Sequence, residues 1–184
     1  NGVKLTTKKG SVYDKLGVEF TFRNGDNFPA HVKSYLERKT PFIRGEMGML
    51  AQASQVLNAS PATKPRVLLQ ISYSKGDHLV GRENVKTLDD LFKLGHKPKI
   101  CAQQGGPHVT LIDQAIRNAG KTWNDVEMVW VPELIGEKGP ATKFRNDPSI
   151  DAVCVITAPD GMLALTGGLD VKGTGAEGTV KGSQ

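Results

Sequence analysis

The residue types in this chain come closest to doing chemistry in the segment Cys101-Ala102-Gln103-Gln104-Gly105-Gly106-Pro107-His108-Val109-Thr110. An apolar run ends there, two glycines allow a sharp turn, and a helical pattern begins. The first N–H groups of a helix lack intrahelical acceptors and carry the positive end of its dipole, so such a turn can hold an oxyanion or a carbonyl. No Gly-Lys-Ser/Thr follows, which excludes a Walker phosphate loop, and the dinucleotide glycine spacing is absent. Gln104, Gly105, Gly106 and His108 are expected to contact a ligand. The plainer alternative is a tight turn that needs glycine for geometry alone. A lone histidine at a helix start is more often a capping or surface residue, so His108 is weighed separately from its neighbours.

A second segment has the same form. Arg44, Gly45 and Glu46 follow Pro41-Phe42-Ile43, where a guanidinium fork suits a carboxylate, sulfonate or phosphate unless it pairs with Glu46. A third is Ala158-Pro159-Asp160-Gly161, in which Asp160 falls in a first helical turn and offsets its dipole. Both acids discourage a strongly anionic ligand, so an amine-bearing or neutral solute stays open beside an oxyanion. Tyr73 stands where the first half of the chain hands over to the second, and cleft exposure is expected of it. Trp123 and Trp130 are read as packing residues. His31, His78 and His96 lack metal-ligand spacing and are read as surface groups. Cys101 and Cys154 lie in apolar runs without a CxxC motif and are read as buried core residues. No Ser/His/Asp or Cys/His arrangement can be assembled, so no catalytic residue, metal or cofactor is expected.

These segments need elements to position them, and two alternating strand–helix series can be read. In the first, Val18-Glu19-Phe20-Thr21-Phe22 alternates at period two and predicts a strand. Asp26 is expected to cap a helix over 27–37, with Pro29 early in it where a missing N–H does no harm. Pro41-Phe42-Ile43 predicts a short strand, and Met47, Leu50, Ala51, Ser54 and Leu57 predict a helix after Gly45. Val67-Leu68-Leu69-Gln70-Ile71 has the near-continuous apolar pattern of a strand buried on both faces. A loop near 75–86 is expected to separate the series. In the second, Thr87 caps a helix over 88–93 ended by Gly95. Strands are predicted over 99–102, 127–131 and 151–156, with helices over 108–118, 141–145 and 159–165. Strands separated by helices imply parallel sheets of right-handed βαβ units, with ligands beyond the carboxyl ends of the strands.

The bulk properties fit such a protein. The chain has 184 residues, of which 38% are hydrophobic and 23% charged, a folded rather than a disordered composition. A net charge of +5 suits an acidic partner, but Lys8-Lys9 and Lys97-Pro98-Lys99 are the densest basic runs and no aromatic residues interleave them. A nucleic-acid surface is therefore not expected. The longest apolar stretches fall far short of the ~20 residues of a membrane span. The chain opens at Asn1 and closes in Gly-rich sequence, and is read as an excerpt of a longer protein.

Taken in order, these segments resemble the substrate-binding proteins of ABC transporters. Thr40-Pro41-Phe42-Ile43-Arg44-Gly45 is similar to the family's first-lobe ligand loop. Val85-Lys86-Thr87-Leu88-Asp89-Asp90-Leu91, followed by 99–108, is similar to the opening of its second lobe. Asp151-Ala152-Val153 leading to Ala158-Pro159-Asp160 is similar to a later strand and loop. The nearest branch is the nitrate, sulfonate, taurine and thiamine-precursor group, together with phosphate-type binding proteins fused to OmpA-like domains. The resemblance implies an α/β, type II periplasmic-binding fold of two parallel-sheet lobes closing on a small-molecule solute. It implies a partial first lobe over 1–75, a hinge or crossover over 76–86, a second lobe over 87–168 and a Gly-rich return segment over 169–184. It further implies a periplasmic or envelope location, an ABC transporter permease as partner, and adjacency of the strands carrying Cys101 and Cys154, which are expected not to bond. Two rivals share the scaffold: an effector-sensing regulatory domain, and a precursor-synthesis enzyme for which His108 would be the reactive group.

Overall fold

A computed structural model of the chain describes residues 3–5, 9–18, 20–22, 27–71 and 77–156, with 3–5 and 20–22 described as backbone. The elements run β1 (Val3–Leu5), α1 (Val12–Lys15), β2 (Phe20–Phe22), α2 (Phe28–Leu36), α3 (Met47–Gln52), α4 (Ser54–Leu57), β3 (Asp77–Gly81), α5 (Leu88–Leu91), β4 (Lys99–Gln103), α6 (His108–Asn118), a 3-10 turn (Trp123–Asp125), β5 (Glu127–Val131), α7 (Pro140–Asn146) and β6 (Ala152–Ile156). The chain is α/β, and its main sheet is four-stranded in the order β3-β6-β4-β5. β4 pairs in parallel with both β5 and β6, while β3 runs antiparallel along β6 from Asp77↔Ile156 to Gly81↔Ala152.

The sheet is covered on both faces, as parallel strands require. On one face Ile100, Ala102, Ala152 and Cys154 pack with Leu91 of α5 and with Ile112 and Ile116 of α6. On the other, Cys101, Val131, Val153 and Val155 pack with Ala141 and Phe144 of α7. Alternation along a strand thus sends the two cysteines to opposite faces, although Cys101 lies opposite Val153, the neighbour of Cys154. Both thiols are buried and free, and the strands that carry them are adjacent. Burial pushes the Cys101 thiol up to about 11 and that of Cys154 higher still, so both stay neutral and unreactive.

Arg82 closes this unit. Its Nε donates to Ile150 O at 2.9 Å and its Nη2 to Phe144 O and Asp147 O at 2.5 and 2.8 Å. The same guanidinium lies 3.6 Å from the centroid of the Phe144 ring. One side chain thereby supplies donors to the carbonyls at the end of α7, which have no helical partner.

The earlier part of the chain is smaller. β1 and β2 form an antiparallel pair. Phe28 and Val32 of α2 bury against Leu57 of α4, with Tyr35, Leu36, Ile43, Met49 and Leu50 around them. Asn27 caps α2, its Oδ1 accepting from Ala30 N at 3.0 Å.

Several sequence expectations are corrected here. The cap of α2 is Asn27 rather than Asp26. Residues 41–43 form no strand, and the expected helix before Leu57 divides at Ala53 into α3 and α4. Residues 67–71 form no strand, and their apolar side chains are exposed rather than buried. The expected loop near 75–86 contains β3. The expected helix over 159–165 lies outside the described residues.

Candidate functional site

The turn at 104–107 follows directly from β4. Gln103 is buried and donates through Nε2 to Pro132 O at 3.3 Å, while the Gln104 backbone N–H donates to Val131 O at 2.9 Å. These bonds tie the turn to the end of β5 and leave the Gln104 side chain exposed. Gly105 adopts a φ of +64°, which a side chain would strain. Gly106 packs so closely on Gln103 that a Cβ would fall 2.6 Å from Gln103 Oε1. α6 then starts at Pro107 with no side-chain cap, and the Val109 N–H donates back to Gly106 O at 3.5 Å.

The helix that follows Arg44 packs on the helix that follows this turn. A Cβ at Gly48 would fall 1.7 Å from Thr110 Oγ1, and one at Gly105 would fall 3.6 Å from Pro29 Cγ. The start of α3 therefore lies on the first turn of α6, and the tip of the 104–107 turn lies on α2. Gly45 packs under Phe28, where a Cβ would fall 2.7 Å from the ring. Glu46 is the N-cap of α3 and accepts from Met49 N at 3.2 Å. Arg44 is exposed and makes no ion pair with any described residue, Glu46 included. Glu46 Oε2 and Thr110 Oγ1 thus both adjoin Gly48 where α3 packs on α6, while Gly105 meets Pro29 of α2. Tyr73 and Asp160 lie outside the described residues.

His108 turns inward. It is fully buried, neither ring nitrogen has a hydrogen-bond partner among the described residues, and Nε2 stands 3.4 Å from Asp77 Oδ1 as an electrostatic contact. Its spacing of four from Ile112 and of eight from Ile116 puts all three on the buried face of α6. Burial holds the imidazole below its ordinary value of 6.5, with the Asp77 carboxylate opposing the shift. Below pH 6.5 the unfolded chain takes up a proton that the folded chain refuses, so stability present above that pH is lost as pH falls toward the folded value. The urea midpoint is expected to drop between pH 7.5 and pH 5.5, and His108→Leu should remove that part of the slope. Asp147, held well below the carboxylate range by Lys143 and Ser149, titrates too low to enter this window. An unchanged slope in the variant would exclude His108 as its source.

Two features were missed from sequence. Trp130, read as a packing residue, is 41% exposed, and it directly precedes the Val131 carbonyl that accepts from Gln104. Its place on β5, an edge strand, was the missing information. A groove of about 310 Å³, lined in part by Phe92, His96, Lys97, Lys121 and Asp125, opens at the amino end of β4, away from the 104–107 turn. There Asp125 is committed to Thr122, accepting from its N–H and its hydroxyl at 2.8 Å each. His96 pairs with Asp151 at 3.1 Å. Among the described residues no cluster of three or more His, Cys, Asp or Glu side chains could hold a metal ion. No described helix is long and apolar enough to cross a membrane.

No protein-family model and no curated protein matches the chain. Among solved structures it is similar to the periplasmic aliphatic sulphonate binding protein SsuA from Escherichia coli, at 24% identity and a TM-score of 0.38. That match covers 50% of this chain and 28% of the other.

Proposed function

We propose that the chain binds a small solute at the junction of the 104–107 turn with the Arg44 segment, and that it performs no chemistry there. The observation that carries this reading is the packing of α3, whose preceding loop holds the exposed Arg44, on the first turn of α6, whose start has no side-chain cap. Backbone donors at a helix N-terminus and a guanidinium fork both favour an oxygen acceptor on the solute. Glu46 is engaged in capping α3, which draws its charge toward that helix rather than toward the junction. In this reading Gln104 supplies an exposed amide, Gly105 and Gly106 permit close approach of the backbone, and no cofactor is required. Tyr73 and Asp160 complete the set proposed to contact the solute.

The choice of binding over catalysis draws support from His108. The group that an enzyme on this scaffold would need as its reactive residue presents no surface to solvent. In the wider reading, 1–75 and 87–168 are two lobes joined by a crossover at 76–86, the location is periplasmic or in the envelope, and an ABC transporter permease receives the solute.

The test is titration with carboxylates, sulfonates, amino acids and pyrimidines while following tryptophan emission, with Trp130 as the reporter beside the turn. Arg44→Ala and Gln104→Ala are each expected to weaken binding about tenfold, the loss of one charge-assisted or neutral hydrogen bond. Emission that stays constant with every class, or binding indifferent to both substitutions, would remove the junction as the site.

A further inference from the structure

The basic side chains around the amino end of β4 fall into two sets. Lys93 pairs with Asp89 at 3.7 Å, Lys99 with Glu127 at 3.4 Å and His96 with Asp151 at 3.1 Å. Lys97 and Lys121 have no such partner among the described residues, yet both line the groove of about 310 Å³. Their charges converge on one place. Asp125, in the same lining, is held below its ordinary 3.8 first by hydrogen bonds from Thr122 and then by Lys121 and Lys97. Its Oδ2 is taken up by Thr122, and neither ammonium forms an ion pair with it, so both keep their donors for another acceptor. The rest of the lining is partly apolar. Phe92 is half-buried and Pro98 buried, and Lys121 Nζ stands 6.0 Å from the centroid of the Phe92 ring. An ammonium thus sits beside a surface that suits a ring.

We propose that this groove binds a small aromatic carboxylate, its ring against Phe92 and Pro98 and its oxygens on Lys97 and Lys121. Charge and shape both favour that class. Among the lining groups two ammoniums stand against one carboxylate, a single net positive charge that a monoanion neutralises. A dianion would set surplus negative charge beside Asp125. An aliphatic acid would leave the Phe92 wall bare, and an uncharged ring would leave both ammoniums unused. The volume lies at the lower end of the ~300–1,000 Å³ of small-molecule pockets, which suits a single-ring solute. Asn124 adds an amide to the lining that can reach a ring substituent. The site is separate from the 104–107 turn, which follows the other end of β4, about 13 Å along the strand. Arg44 and Gln104 take no part in it. Both lysines are exposed, and ion pairs in such settings are weak, so the dissociation constant is on the order of a millimolar.

The test is titration of the full chain with benzoate at constant ionic strength, followed through backbone amide resonances. Amides of residues 96–98 and 121–125 should shift saturably, while those of 104–110 stay in place. Acetate, which has the charge without the ring, and benzamide, which has the ring without the charge, should each bind at least about tenfold more weakly. Lys97→Gln and Lys121→Gln are each expected to weaken benzoate binding about three- to fivefold, the scale of one exposed ion pair. Both positions are exposed, so amide shifts elsewhere should show an unchanged fold. Lys93→Gln removes an equal charge from a lysine that is already paired and lies outside the lining, and should leave the affinity as it was. Shifts that never saturate, or acetate bound as tightly as benzoate, would overturn the proposal. A loss on Lys93→Gln equal to that of the other two variants would reduce the effect to diffuse charge and overturn it as well.

Discussion

Arg82→Leu is expected to cost the chain about 3–4 kcal/mol of folding stability, the largest effect of any single substitution considered. The guanidinium donates three hydrogen bonds to carbonyls of Phe144, Asp147 and Ile150 and stacks on Phe144, itself almost fully buried. A hydrogen bond from a charged donor contributes about 1.5–3 kcal/mol, and three on one side chain do not add independently. Leucine keeps some contact with the ring but leaves the Phe144 and Ile150 carbonyls without their arginine donor, while Asp147 O keeps the Ile150 N–H at 3.2 Å. Burial lowers the arginine's pKa while the Asp147 and Asp151 carboxylates oppose the shift, and an arginine so placed stays ionised at neutral pH. Lysine has the charge without the fork, so Arg82→Lys should recover less than half of the loss. Urea unfolding measures both, and losses below about 1 kcal/mol in each would show that the clamp contributes little.

Gly48→Ala is expected to loosen α3 from α6 and to weaken solute binding with it. On an open helix this substitution stabilises by about 1 kcal/mol, so the sign of the effect is itself the test. Here the new methyl would fall 1.7 Å from Thr110 Oγ1 and 2.9 Å from Thr110 Cβ. Rotating the threonine relieves the first contact and not the second. The helix must back away, at about 2 kcal/mol, the usual scale for overpacking. Faster amide exchange in α3 and α4, with the sheet unchanged, is the expected signature. Adding Thr110→Ala should restore most of the protection. A Gly48→Ala chain more stable than its parent would place α3 off α6 in solution.

The second half of the chain was legible because its signals are local. Thr87 caps α5 as its sequence position led one to expect, and Asp90 adds the reciprocal half of a capping box. The Gly-Gly-Pro turn and the helical spacing after it place α6 at the residues read for it. The run 67–71 misled for the opposite reason. Its pattern says that both faces are apolar, but it cannot say whether a strand lies on either side. β3 was missed because only Leu79 and Val80 are apolar in it, and its strand character comes from pairing with β6 some seventy residues later. The inward turn of His108 was within reach, since residues 108, 112 and 116 share a helical face. The histidine was weighed as a helix start and not as a member of that stripe. Arg82 gave no warning at all: its acceptors are backbone carbonyls more than sixty positions away.

The strand order also governs how the sheet can be made during synthesis. β6 is the last strand of the sheet to leave the ribosome, and it sits between β3 and β4 rather than at a margin. Until residue 156 has emerged, β3 has no neighbour in the sheet and β4 has only β5. At about 5–20 residues per second, several seconds pass between the release of β3 and its closure by β6. During that interval the apolar faces that become the two cores lack their central strand. Assembly is therefore an insertion that waits for β6, and a chain truncated just before β6 should be held by chaperones rather than released folded.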